Sequence, residues 1–199
     1  MMTTKRQSPK WSDLRKTLVK SEVRELVELI RDLYDASAEN RSFLHARLAP
    51  QEDDESLLNP YIERVAHQFF PKRGFGKLQL REARKAIREY RKATGNPAGT
   101  AELMLTYVEL GTGFAREFGN DDGRFYSSLG SVLGEFVALL TGDAPQLYPH
   151  FRERLLNLRV DAARIGWGYG DEVAEQVDRL EEELNSKIAD DGSKPEDVD

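Results

Sequence analysis

The residues able to do chemistry in this chain are three histidines set among thirty-five acids. Glu63 and His67 stand at i, i+4, and His150 and Glu153 at i, i+3, so on helices each pair would share a face. Two such pairs could in principle hold a metal. Carboxylate-bridged di-metal bundles, however, use Glu-x-x-His on two helices with two further glutamates. Here one pair has the wrong spacing and the other the reverse order. In a chain this rich in acids, such pairs arise by chance. His45 has no partner to propose. The reading is no metal site and no cofactor.

The stretch "GWGYGD", residues 166–171, has the look of a phosphate-cradling loop before a helix. It lacks the third glycine of the dinucleotide fingerprint and the Lys-Ser/Thr of a P-loop. Asp171 and Glu172 would also put negative charge where a phosphate should bind. The expectation is a turn whose glycines take unusual dihedrals, with Trp167 and Tyr169 docked on a neighbouring helix. No "GxSxG" occurs, and no histidine stands in a recognisable relation to a serine. Paired carboxylates are so frequent that they select nothing. With no cysteine, disulfides, thiolate zinc sites and thiol nucleophiles are excluded. No catalytic residue is assigned.

One stretch does stand out. "KLQLREARKAIREYRK", residues 77–92, is a basic helix in a chain of formal net charge −6. Residues 72–92 hold nine Lys/Arg and two Asp/Glu, while residues 171–199 hold three and twelve. On a helical projection Arg81, Arg84, Lys85, Arg88, Arg91 and Lys92 fall within an arc of about 120°. Leu80, Ala83, Ala86, Ile87 and Tyr90 fall opposite, with Glu82 and Glu89 on one flank. Like charges at i, i+4 disfavour a helix by a few tenths of a kcal/mol per pair, so a row of cations calls for a reason. It is a solvated face neutralised by acidic neighbours, or a docking surface for an acidic protein or for this chain's own acidic C-terminal region, or a phosphate-binding ridge for nucleic acid. The acidic balance of the chain argues against the last. The lack of large apolar residues beside the ridge argues against a membrane role.

The elements that must carry this ridge read as helices throughout. Ser12 is expected to cap a first short helix with Leu14, Leu18 and Val19 at helical spacing, and Trp11 before it. Ser21 opens a second, with a broad stripe of Val23, Leu26, Val27, Ile30, Leu33 and Tyr34. A third covers 39–48. A fourth runs from about Ser56 to Phe70 with Pro60 in its first turn. After the loop "PKRGFGK" comes the basic helix, ending at Gly95, and Asn96–Pro97 starts the next. That helix runs to about Phe118 and contains Gly111 and Gly113. Glycine in a helix costs about 1 kcal/mol against alanine, so close approach of another backbone is expected there and at Gly130 and Gly134 of the following helix. Pro145 begins another, and Asp171 caps the last, with its seam at Val173, Val177, Leu180, Leu184 and Ile188.

No segment alternates like a strand. The fold class is therefore all-α, with about nine helices in antiparallel hairpins, arranged as an irregular helical stack or a compact bundle. The organisation read from sequence is a disordered N-terminal arm over 1–11, a single all-α domain over 12–188 and a disordered acidic tail over 189–199. The N-terminus has no apolar run of a secretory signal, and no apolar run reaches the roughly 20 residues that span a bilayer. A cytoplasmic location is expected.

Three stretches, "FFPKRGFGKLQLREARKAIREYRKATGNPAG", "LMLTYVELGTGFAREFG" and "RIGWGYGDE", resemble a bacterial family classified only as a domain of unknown function. The resemblance covers about residues 12–184. It implies a small cytoplasmic all-α protein and carries no activity, so no functional residue transfers. The function expected is a non-catalytic protein-interaction module docking through residues 77–92. The alternative is a nucleic-acid-associated protein using the same ridge, and after that an enzyme whose site is scattered over several helices.

Overall fold

The apolar periodicity resolves into nine α-helices among the described residues, with no strand. The computed structural model describes residues 10–48, 54–74 and 76–191. The chain divides into two compact units, Met1–Leu48 and Ala49–Asp199.

The first unit holds α1 (Trp11–Leu18), α2 (Val23–Ala36) and α3 (Ala38–Leu48). Trp11 is the first residue of α1, and Lys10, not Ser12, occupies the cap position. Residues 1–9 of the expected N-terminal arm lie outside the described residues. Ser21 does not open α2 either. Glu22 does, through a capping box in which the Glu25 carboxylate accepts the Glu22 N–H at 3.1 Å. That arrangement satisfies two orphan donors at once. α3 packs on α2, where the Tyr34 hydroxyl meets His45 Nε2 at 3.1 Å and the Asn40 amide donates to the Leu33 carbonyl at 2.7 Å.

The second unit holds α4 (Asp54–Phe69), α5 (Leu80–Thr94), α6 (Pro97–Phe118), α7 (Gly123–Thr141), α8 (Tyr148–Ala162) and α9 (Tyr169–Asp191). Within it α6 touches α4, α5, α7 and α8, and α9 packs on α7 and α8. The core gathers Val65 and Phe69 of α4, Tyr90 of α5, Leu103 and Tyr107 of α6, Leu133 and Phe136 of α7, Phe151 of α8, and Tyr169 and Val173 of α9. Three ring pairs join helices edge to face, as aromatic quadrupoles prefer: Tyr61–Tyr90 at 5.3 Å, Phe69–Tyr107 at 5.4 Å and Phe136–Phe151 at 5.3 Å.

Several starts and stops follow from single residues. Gly95 closes α5 at φ +66°, in the left-handed region where a side chain is disfavoured. Asn96 caps α6 by accepting the N–H groups of Ala98 and Gly99 at 2.9 and 3.2 Å, with Pro97 in the first turn. α4 starts earlier than its sequence suggests, so Pro60 lies inside the helix and not in its first turn. A 3₁₀ turn over Pro145–Leu147 leads into α8, which itself begins at Tyr148. α9 begins at Tyr169, so Asp171 and Glu172 sit in its first turn, where acids favour the helix dipole, and Asp171 is not the cap. α9 also extends through Asp191, three residues into the segment read as tail, and residues 192–199 lie outside the described residues.

Candidate docking ridge on the fifth helix

The ridge is held in place by the other side of α5. Ala83, Ala86, Ile87, Tyr90 and Ala93 are buried. The three alanines let the α5 backbone lie close to its neighbours. Gly99 continues this on α6, since a Cβ there would come within 2.1 Å of the Tyr90 hydroxyl oxygen. With that face fixed, the opposite arc must point to solvent.

The six cations of that arc divide into two sets. Arg81, Arg88, Arg91 and Lys92 are exposed and form no ion pair with any described residue. Arg81, Arg88 and Lys92 lie in line, about 10 Å and then about 6 Å apart along the axis. Arg84 and Lys85 are half-buried and engaged. The Arg84 guanidinium donates to Glu135 Oε1 of α7 at 2.7 Å and to Ser131 Oγ at 3.4 Å. Lys85 lies 3.6 Å from Glu89, which also accepts from Arg64 of α4 at 2.8 Å. Arg84 ties α5 to α7 on one flank and Glu89 ties it to α4 on the other, with Lys85 supporting Glu89 from within α5, and Arg84 does not point outward with the rest of the row. Of the acidic C-terminal region weighed as an internal partner, residues 171–187 form no ion pair with the ridge, and residues 192–199 lie outside the described residues.

A groove of about 930 Å³ opens beside the start of α5. Glu63, Arg64, His67, Phe70, Arg73 and Glu82 line it. Its charges alternate in sign, and three are already paired, Lys72 with Glu63 at 3.7 Å and Arg64 with Glu89. Of the two Glu/His pairs, Glu63 and His67 face this groove, whereas His150 and Glu153 are exposed on α8. Among the described residues no three His, Asp or Glu come together as metal ligands would. The ridge can attract and orient an anionic surface. It offers no nucleophile beside a base.

A second cleft, of about 660 Å³, lies between the C-terminal ends of α6 and α8 and the turn before α9. Tyr169 docks as its sequence suggests: it is fully buried and its hydroxyl meets Thr112 Oγ1 at 2.7 Å. Trp167 does so only in part. It stacks on Tyr126 at 6.5 Å but remains 64% exposed, with a backbone φ of +65°. Nothing in residue type or spacing marks which of the two aromatics goes inside.

Among the described residues no single helix is long and apolar enough to cross a membrane. No protein-family profile, curated protein or solved structure matches this chain.

Proposed function

We propose that the chain is a non-catalytic interaction module that docks an acidic protein surface through Arg81, Arg88, Arg91 and Lys92 of α5. The observation that carries this reading is the division of the row. Two cations find carboxylates within the fold, and four are held in solvent on a helix whose other face is fixed in the core. A solvated face serving only solubility would intersperse acids. Complementary charge of this kind steers encounter and fixes orientation more than it adds affinity. An acidic protein fits better than nucleic acid for two reasons. Glu82 flanks the row and is exposed, where it would repel a continuous phosphate backbone. No aromatic residue stands among the four cations to stack on an unpaired base.

The test is the variant Arg81→Glu/Arg88→Glu/Lys92→Glu, which leaves both flank ties intact. Its circular dichroism and melting temperature should match the wild type. Binding to a Glu/Asp-rich peptide should be lost, and partners recovered from the native cell should disappear in a nuclease-insensitive way. Binding to duplex DNA with a log–log salt slope of several units would shift the reading to nucleic acid, since each neutralised phosphate contributes about −0.9. A folded variant that keeps every wild-type interaction would leave the ridge a solvated face.

A further inference from the structure

The helix α2 reads VRELVELIRDLYDA. Its two halves, VRELVEL and IRDLYDA, repeat the same residue classes at a spacing of seven. Val23 matches Ile30, Leu26 matches Leu33, and Val27 matches Tyr34. Arg24 matches Arg31, Glu25 matches Asp32, and Glu28 matches Asp35. The apolar members cover about 160° of the helix. None of them is buried: Val23 is 77% exposed, Val27 59% and Leu33 50%. α3 reaches this helix at its last turn, through Tyr34 and Leu33. A stripe this wide and this open is rare on a monomer's surface.

We infer that α2 pairs in parallel with α2 of a second copy of this chain. The repeat selects that occupant and that direction. With Val23 and Ile30 in the first core position and Leu26 and Leu33 in the second, it has β-branched residues at one and leucine at the other, the combination that favours a parallel two-stranded coil. The positions flanking this seam are apolar as well, Val27 and Tyr34 on one side and Leu29 and Ala36 on the other, so they widen the contact. The charges lie on the outer side of the helix, where Arg24 meets Glu28 at 3.4 Å and Arg31 meets Asp35 at 4.0 Å, and they oppose neither the pairing nor its direction. Two heptads are short, so the association is expected to depend on concentration.

The chain has no cysteine, which makes orientation directly measurable. In the full chain carrying Val23→Cys, parallel pairing brings the two position-23 residues together. Mild oxidation should then give a disulfide-linked dimer in high yield. Glu28→Cys, on the far side of the helix, should cross-link at least tenfold less. Light scattering behind size exclusion should show the wild type shifting from monomer to dimer as concentration rises, and Ile30→Asp should abolish that shift without lowering helicity. A wild type that stays monomeric throughout, a dimer indifferent to Ile30→Asp, or equal cross-linking at positions 23 and 28 would each overturn the inference.

Discussion

The Arg84 guanidinium of α5 donates to the Glu135 carboxylate of α7 at 2.7 Å, across fifty-one residues of chain. This contact removes Arg84 from the outward row and makes it a tie between two helices. The pair is part-exposed, so Arg84→Ala should cost only about 0.5–1 kcal/mol. Arg84→Glu should cost more, because two carboxylates would then face each other. The double variant Arg84→Glu/Glu135→Arg should recover most of the loss. Denaturant melts of the four proteins check this. Equal stability of the single and double reversals would show that the contact does not form.

The helix glycines give a paired prediction. A Cβ on Gly111 would meet the buried Leu129 side chain at 2.3 Å, whereas one on Gly113, two residues on, would meet nothing within 4 Å. Gly111→Ala should therefore destabilise by about 1–3 kcal/mol through overpacking. Gly113→Ala should stabilise by about 0.5–1 kcal/mol, because alanine loses less backbone freedom in a helix. Thermal melts that moved both variants in the same direction would contradict this placement of α6 against α7.

Much of the fold was legible because its signals are local. Gly95 and Asn96–Pro97 mark a helix stop and the next start through their own dihedrals and hydrogen bonds, and the buried face of α5 follows from periodicity alone. The ridge was legible as a row of charge but not as two sets. A helical projection shows where Arg84 points, yet it cannot show that Glu135 waits there. The same limit separates Gly111 from Gly113, which look alike in sequence and differ only in the neighbour across the gap. It also separates Tyr169, which goes inside, from Trp167, which does not. The cap of α2 was missed for a different reason. Ser21 is the commoner type of cap, but Glu22 and Glu25 satisfy each other's backbone donors one residue later.

Arg154 of α8 reaches two carboxylates of α6. It donates to both oxygens of Glu109, at 2.9 and 2.7 Å, and to Glu102 at 2.6 Å, with its guanidinium 5.8 Å from the centre of the Phe151 ring. The two carboxylates push the guanidinium further toward its charged form, although partial burial opposes them. Arg154→Ala would leave Glu102 and Glu109 together without their cation. The expected cost is about 2 kcal/mol, within the range for charged hydrogen bonds. Arg154→Lys should restore the charge but not the two-pronged contact, and so recover only part of the loss. Full recovery by lysine in a urea titration would mean that geometry contributes nothing here.

Alkaline stability should be set by buried tyrosines. Tyr61, Tyr107, Tyr126, Tyr148 and Tyr169 all hold their protons above the ordinary tyrosine value of 10.0, and in each burial is the largest cause. Tyr169 is held furthest, although its hydrogen bond to Thr112 works in the other direction. A raised value in the folded state means that the unfolded chain loses these protons first. The stability they confer is therefore complete below pH 10 and drains away as pH rises through the folded values. Urea melts should give a level stability from neutral pH to about pH 10 and a steep fall beyond it, by this linkage. Tyr169→Phe separates the causes. It deletes one buried hydrogen bond, so at neutral pH it should cost about 1 kcal/mol. The Thr112 hydroxyl retains its bond to the Val108 carbonyl at 2.8 Å, which limits that cost. The variant should also lose less stability between pH 10 and pH 11 than the wild type, because its most strongly held proton is no longer there to lose. An alkaline fall of the same depth in both proteins would assign the effect to the other four tyrosines.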